Sequence, residues 1–312
     1  MKSVNIISSL MGAGLHREAI LLQELLAAHG HTSRLMHYTD GDNAPMERAD
    51  INISLEVVMP RALSLARENW LAPNSEWWPP QNDQYLSHFS KIICKTRDCF
   101  DIWSAKVGAE KCVYTSFEAR DLYRADIPRQ NRFLHIAGKS GNKGTESVIR
   151  AWQHIPNGLP PLTVVASNAE FKLLWEKNHS NIEFFSKVDE PELVRLMNAC
   201  RYHVAPSPYE GFGHSIHEGI GVGAIVVTPN APPMKDFYGA FAHIPVASTT
   251  KCRLATMSMV TPDAVRATCA ATVARVSCLE DGRWAAQSYQ RQWFLQDRKF
   301  FRETFMRLVE SV

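Results

Sequence analysis

Two acidic residues stand on either side of a glycine-rich turn in the C-terminal half of the sequence. Glu210 precedes the turn 211–213 and Glu218 follows it, with seven residues between the two carboxylates. An apolar run ends near Ala205, and a helical pattern begins near His214. Glycine lets the backbone approach a ligand closely, and the first N–H groups of a helix favour negative charge. This pattern predicts a site for a nucleoside diphosphate sugar, with hydroxyls on the two carboxylates and the diphosphate between them.

A second glycine-rich turn carries two lysines that fit the same chemistry. Lys139 and Lys143 lie in the turn 138–144, between a predicted strand over 133–137 and a predicted helix over 145–153. Cations beside a leaving diphosphate stabilise the charge that develops on it. The alternative is that both are ordinary solvated loop charges.

Taken together, these motifs resemble the retaining GT-B glycosyltransferases of family 4, which carry two glutamates in the same E-x7-E spacing. The resemblance covers much of residues 131–236 and rests on four segments that occur in the same order as in the family. They are the lysine turn 138–144, the segment 185–188, the segment 201–207 that precedes the two glutamates, and the segment 221–227 that follows them. It implies an α/β protein of two Rossmann-like domains facing a central cleft, and sugar transfer with retention of configuration. It also implies no metal and no tightly bound cofactor, with a UDP- or GDP-sugar as co-substrate.

The resemblance assigns roles to individual residues. Glu210 would hydrogen-bond the donor sugar, and Lys143 and Lys139 would stabilise the leaving diphosphate, although the family usually has arginine at position 139. Glu218 would hold the ribose hydroxyls. The other donor-binding residues that the resemblance implies are Gly12, Gly14, Ser186, Lys187, Gly211, Phe212, Gly213 and His214.

The helix that carries Glu218 departs from the family pattern. It continues with Gly219-Ile220-Gly221, where the family prefers Ala-x-Ala. Each glycine inside a helix costs roughly 1 kcal/mol relative to alanine. Close packing against a neighbouring element would explain both glycines.

The order of predicted elements favours two domains of similar design. A strand, a glycine turn and a helix open the chain at residue 4 and recur at residue 133. Alternating strands and helices are typical of a parallel sheet covered by helices. We predict an N-terminal Rossmann-like acceptor domain over 1–130, a nucleotide-sugar-binding Rossmann-like domain over 131–285, and a helix over 286–312 that packs back on the N-terminal domain. Within the first domain, the pattern over 60–69 predicts a helix.

Residues of the first half provide candidates for the acceptor site. The segment 69–80 contains three tryptophans together with three prolines, which predicts either a stacking platform for a ring or a loop anchored by buried tryptophans. The candidate acceptor residues are Asn74, Glu76, Trp77, Lys95 and Arg97. The expected acceptor is a glycan or lipid-linked sugar. A hydroxymethylated nucleic-acid base is the alternative, because scattered basic residues would suit it: Arg97, Arg120, Arg124, Arg129 and Arg132.

The composition is that of a soluble globular protein. Hydrophobic residues make up 45% and charged residues 21% of 312 residues, and the formal net charge is +2. The seven cysteines are odd in number and form no CxxC pair, which favours reduced thiols in the cytoplasm over disulfides or a zinc site. No apolar run reaches the ~18–20 residues of a membrane span, and the apolar run 4–10 is predicted to be a strand.

Two other functions fit parts of the sequence. An NAD-dependent oxidoreductase would use Gly12 and Gly14, but Arg17 stands where the dinucleotide motif has its third glycine. A catalytically silent nucleotide-sugar-binding protein would keep Lys143 and Glu218 and show no turnover.

Overall fold

The computed structural model describes residues 1–9, 13–39, 47–153, 158–176, 181–279 and 285–312. They divide into two compact units. The first unit comprises Met1–Glu118, Lys251–Ala255 and Asp297–Val312, and the second comprises Ala119–Thr250 and Thr256–Gln296. Among the helices so described, none combines the length and apolar character needed to cross a membrane.

The first unit is built on a parallel sheet of six strands in the order β2-β1-β3-β4-β5-β6. Its centre is apolar: Ile51, Ile53 and Trp70 are almost completely buried. The strands are β1 (Ser3–Ser8), β2 (Thr32–His37), β3 (Ala49–Leu55), β4 (Ala66–Ala72), β5 (Lys91–Cys94) and β6 (Cys112–Tyr114). Two helices connect them, α1 (Ala13–Ala28) and α2 (Arg97–Val107).

The helix predicted over 60–69 is wrong. Only a short 3-10 helix, Pro60–Ala62, forms there, and the chain then enters strand β4. Strand β4 lies between β3 and β5, with Ile53 opposite Trp70 and Trp70 opposite Lys91. Alanine and leucine favour a helix locally, but burial of Trp70 and Leu71 between two neighbouring strands decides the outcome.

The second unit repeats the design with six parallel strands in the order β12-β11-β10-β7-β8-β9. In its core Phe133 stacks on Tyr202 with ring centroids 4.7 Å apart, and Trp152 meets Phe133 edge-on. The strands are β7 (Gln130–Gly138), β8 (Leu162–Ala166), β9 (Ile182–Phe185), β10 (Cys200–Val204), β11 (Ile225–Pro229) and β12 (Ala240–Ile244). The helices are α3 (Thr145–Gln153), α4 (Ala169–Glu176), α5 (Glu190–Ala199) and α6 (His214–Gly221).

The last part of the chain contributes to both units. A two-stranded sheet of β13 (Ser248–Cys252) and β14 (Ala255–Met259) precedes α7 (Pro262–Leu279). Helix α8 (Ala285–Glu310) contains most of the predicted terminal helix, and its residues from Asp297 onward group with the first unit. There Arg302 donates two hydrogen bonds to the buried carboxylate of Glu118, at 2.6 and 2.7 Å.

Candidate functional site

The two glutamates are positioned by one strand–loop–helix segment of the second unit. Strand β10 leads into a loop that carries Glu210, and α6 carries Glu218 in its second turn. Gly213 caps the start of α6 in the left-handed conformation, with φ 83° and ψ 55°. This backbone suits glycine, because a side chain there would be strained. Both carboxylates are buried, with Glu210 at 7% and Glu218 at 2% exposure.

The lysine turn reaches this segment because of a close backbone approach at Gly144. Gly144 has φ 67°, and a Cβ atom there would overlap the carbonyl oxygen of Pro206. His135 of β7 strengthens the junction: its two ring nitrogens lie 2.9 Å from Val204 O and 2.9 Å from Thr145 Oγ1. Burial lowers the pKa of His135 to about 4, so the ring is neutral at physiological pH. The turn is therefore fixed against the loop that carries Glu210.

This approach pairs Lys143 with Glu210. Lys143 Nζ lies 2.5 Å from Glu210 Oε1. The lysine side chain is 24% exposed and the carboxylate 8% exposed, so the cation faces solvent on one side. Lys139, in the same turn, is exposed. The structure thus brings Lys143 and Glu210 together, as a site for a diphosphate and a sugar would require.

Glu218 is paired with Arg120, a residue the sequence did not mark as part of the donor site. Arg120 Nε donates to Glu218 Oε1 at 2.8 Å, and Arg120 Nη1 donates to Glu190 Oε1. Burial lowers the pKa of Arg120, but its hydrogen bonds and its attraction to both carboxylates outweigh burial and raise it. Arg120 and Glu218 are 98 positions apart, so no local pattern in the sequence signals the contact.

Aromatic packing fixes the beginning of α6. The Phe212 ring stacks on the His217 ring with centroids 4.2 Å apart, and it meets the His214 ring edge-on at 5.1 Å. Burial lowers the pKa of His217 to about 4, even though the ring contacts Gly213 O at 3.1 Å. His217 is therefore a neutral packing residue, whereas His214 is half-buried beside the glycine turn.

Close packing accounts for both helical glycines that depart from the family pattern. A Cβ atom on Gly219 would lie 2.6 Å from His203 Nδ1, and one on Gly221 would lie 3.0 Å from the Phe294 ring. His203 is held in turn by a 3.0 Å contact between its Nε2 and Met197 O. Alanine does not fit at Gly219 unless His203 moves.

The other predicted donor residues differ in exposure and in the unit to which they belong. Ser186 and Lys187 follow β9 and are exposed. Gly211 is half-buried within the loop. Gly14 belongs to the first unit, in the first turn of α1. Gly12 lies outside the described residues.

The candidate acceptor residues of the segment 69–80 have different environments. Trp77 is 55% exposed, and the Arg253 guanidinium lies 6.0 Å from its ring centroid. Trp78 is buried against Trp103, and Trp70 belongs to β4. The buried tryptophans therefore anchor this segment, and a single indole is available for stacking. Asn74 is half-buried and Glu76 is buried.

Lys95 is buried in an ion-pair cluster of the first unit. Its Nζ lies 2.9 and 3.0 Å from the two Glu18 oxygens and 3.9 Å from Glu56 Oε1. Asn74 Nδ2 also donates to Glu56 Oε1. Burial raises the pKa of Glu56 to about 8, and the charge of Lys95 opposes the rise. Lys95 is thus fully engaged with carboxylates, while Arg97 lies over the Tyr114 ring at 3.9 Å.

The basic residues considered for a nucleic-acid acceptor have partners within their own unit. Arg129 donates to Cys200 O at 3.2 Å and to Val222 O. Arg132 donates to Glu183 at 3.1 Å, and Arg124 donates to Asp126 at 3.2 Å. These contacts use the guanidinium groups within the protein.

A comparison with models of protein families gives a match to one region of the chain. Residues 124–243 match the family described as "Glycosyl transferases group 1". A search of curated proteins found no match. The matched region includes Lys143, Glu210 and Glu218.

Solved structures match the whole chain. A glycosyltransferase from Rickettsia africae ESF-5 has a TM-score of 0.73 and 12% identity, covering 99% of this chain and 98% of that one. A sucrose-phosphate synthase from Thermosynechococcus elongatus has a TM-score of 0.72 and 13% identity over 100% and 99%. HepE of Anabaena, solved with UDP and glucose, has a TM-score of 0.69 and 15% identity over 100% of both chains. The fold is therefore GT-B, with two Rossmann-like units, and together with the matched region it supports a glycosyltransferase enzyme.

Proposed function

We propose that this protein transfers a sugar from a nucleoside diphosphate sugar to a hydroxyl acceptor, with retention of the anomeric configuration, as in family 4. The observation that carries the proposal is the pairing of two buried carboxylates with two cations in one unit. Glu210 contacts Lys143 at 2.5 Å and Glu218 contacts Arg120 at 2.8 Å. These groups lie on the strand–loop–helix segment, the lysine turn and the chain that precedes β7.

Each group has a role in binding the donor. Glu218 accepts hydrogen bonds from the ribose hydroxyls, and Glu210 accepts one from the donor sugar. Lys143, assisted by Lys139, neutralises the diphosphate, while Gly211, Phe212 and Gly213 present backbone N–H groups at the start of α6. Ser186 and Lys187 border the base, and His214 borders the phosphates.

The reaction forms a bond between the acceptor oxygen and the anomeric carbon and breaks the bond from that carbon to the diphosphate. The proton of the acceptor hydroxyl passes to the departing phosphate oxygen. Lys143 stabilises the negative charge on the leaving group, which lowers the barrier because the cation is already in place. No tightly bound cofactor enters this scheme.

A glycan or lipid-linked sugar is the acceptor class that the structure supports better than a hydroxymethylated nucleic-acid base. Binding to duplex DNA depends on cations that are free to meet phosphates. Arg120, Arg129 and Arg132 instead make hydrogen bonds within the second unit. Trp77 is 55% exposed, so its indole is accessible for stacking on a sugar ring.

The test is donor hydrolysis and transfer with a panel of UDP-, GDP- and ADP-sugars. The expected result is release of the nucleoside diphosphate from one of them, faster with a sugar acceptor than with water alone. Binding without release over hours would indicate a catalytically silent nucleotide-sugar-binding protein. Binding of a nicotinamide cofactor instead would favour the oxidoreductase.

A further inference from the structure

Arg120 connects two parts of the proposed donor site. Its Nε donates to Glu218 Oε1 at 2.8 Å, and its Nη1 donates to Glu190 Oε1. Glu218 is the proposed ribose ligand on α6. Glu190 begins α5, directly after the turn 186–189 that contains the proposed base-binding residues Ser186 and Lys187. One guanidinium group therefore joins the carboxylate for the ribose to the segment for the base.

The backbone around Arg120 is fixed to the same unit. The neighbouring Asp121 accepts two hydrogen bonds from Arg291, at 2.8 and 2.9 Å. Asn198 Nδ2 donates to Leu122 O at 2.8 Å. A side chain that extends from an anchored backbone places its planar group reproducibly. The position of Glu218 Oε1 is thus set from outside α6.

Because Glu218 is buried, its hydrogen bond from Arg120 matters for the orientation of its carboxylate. Its side chain is 3% exposed, that of Arg120 is 23% exposed and that of Glu190 is 53% exposed. A buried carboxylate needs hydrogen bonds and a nearby positive charge to stay ionised. Arg120 supplies both to Glu218, and the more exposed Glu190 holds the other end of the guanidinium group. Removal of Arg120 therefore frees the orientation of Glu218 and takes away a charged hydrogen-bond partner of this buried carboxylate.

We propose that Arg120 is a positioning residue that orients Glu218 towards the ribose of the donor and couples it to the base-binding turn through Glu190. This rests on the proposed function. Arg120 then governs affinity for the ribose hydroxyls of the donor, whereas the lysine turn governs affinity for the diphosphate. Loss of Arg120 weakens binding of a nucleoside diphosphate and leaves binding of inorganic pyrophosphate unchanged.

The experiment measures the binding of three probes by calorimetry to the full chain carrying Arg120→Gln or Arg120→Lys. UDP and GDP are titrated in parallel with the wild type, and the tighter one is used with its 2′,3′-dideoxy analogue and with pyrophosphate. Arg124→Gln is the matched control, because Arg124 lies in the same segment, is 59% exposed and pairs with the exposed Asp126.

The expected loss for Arg120→Gln is roughly 10- to 100-fold in nucleoside diphosphate affinity, the scale of a hydrogen bond to a charged group. Arg120→Lys should retain part of the affinity, because lysine keeps the positive charge but lacks the planar guanidinium group that donates to both carboxylates. The dideoxy analogue binds both Arg120 variants as it binds the wild type, since it lacks the hydroxyls that Glu218 would hold. Arg124→Gln binds every probe like the wild type.

Wild-type affinity of Arg120→Gln for the nucleoside diphosphate overturns the inference. So does an equal loss for all three probes, which indicates general damage to the fold. If Arg120→Gln does not fold, the result with Arg120→Lys decides. A loss of affinity confined to the nucleoside diphosphate with both ribose hydroxyls supports the inference, and wild-type affinity for it overturns the inference. If the wild-type chain binds neither UDP nor GDP, the proposed function and this inference are both overturned. If Glu218→Gln weakens binding but the Arg120 variants bind like the wild type, only the inference is overturned.

Discussion

Lys143 Nζ lies 2.5 Å from Glu210 Oε1, so the cation proposed for the diphosphate is paired with the carboxylate proposed for the sugar. The pair depends on Gly144, which lets the lysine turn approach Pro206. A bound diphosphate would compete with Glu210 for the ammonium group. We therefore expect donor binding to lengthen this contact and to release Glu210 for a sugar hydroxyl.

The two glutamates should separate in their kinetic effects. We expect Glu218→Gln to raise the KM for the donor roughly 10- to 100-fold, because it weakens a hydrogen bond between a charged group and the ribose. Glu210→Gln should mainly lower kcat, because its contact matters most as the sugar leaves. Steady-state kinetics with the best donor provides the measurement. Unchanged kinetics in both variants would remove the site assignment.

The two lysines of the glycine-rich turn should differ in importance. Lys143→Gln should lower kcat about 100- to 1000-fold, the scale of losing one group that stabilises developing charge. Lys139→Gln should have a smaller effect, because Lys139 is exposed. The control is Lys235→Gln, at an exposed lysine of the same unit. Equal activity of Lys143→Gln and this control would show that Lys143 is not used.

The glycines of α6 should be required for stability. Gly219→Ala should lower the free energy of unfolding by about 1–3 kcal/mol, the usual effect of overpacking, because the new methyl group would meet His203. Gly14→Ala is the comparison for stability, since no atom of the described residues lies within 4 Å of a Cβ atom there. Its helical position predicts a gain of roughly 0.5–1 kcal/mol. Urea denaturation measures both, and a neutral Gly219→Ala would contradict the packing described here.

Asp297 should give the first unit a distinctive dependence on pH. Burial raises the pKa of Asp297 to about 6, against 3.8 for an ordinary aspartate, although Ser116 donates to it at 2.8 Å. The folded state then holds a proton that the unfolded state releases between these values. Stability from this group is complete below about pH 4 and is lost as the pH rises through about 6.

The variant Asp297→Asn isolates this effect. The difference in free energy of unfolding between Asp297→Asn and the wild type should rise in favour of the variant by about 2–3 kcal/mol between pH 4 and pH 7. This magnitude corresponds to a pKa shift of about two units. Urea denaturation at several pH values measures the difference. Parallel pH profiles for the two proteins would show that Asp297 does not hold its proton.

Elements with a strong local pattern were predictable from the sequence. Helix α3 spans Thr145–Gln153, as predicted, since it follows a glycine-rich turn and carries helical spacing. Strand β4 was missed because its residues favour a helix and only its neighbours in the sheet impose a strand. Strand β13 gives no alternating signal, because most of its side chains are exposed.

In the candidate site too, residues with a local sequence signal were predictable and residues whose contacts are distant in sequence were not. Glu210, Glu218 and the lysine turn are visible in the sequence, because glycines and charges cluster within short segments. The role of Arg120 is not visible, since the contact joins positions 98 apart through the folded unit. Gly219 and Gly221 are unfavourable by helix propensity alone, and the reason for them lies in His203 and Phe294, which pack against them in the folded unit.

A crystal structure with an intact nucleotide sugar is the most direct test of the proposed donor site. We expect ribose hydroxyls on Glu218, the diphosphate against Lys143 and the start of α6, and the sugar on Glu210. A donor bound elsewhere on the protein, or one bound here with Glu210 and Glu218 directed away from it, would show that these residues do not form the donor site.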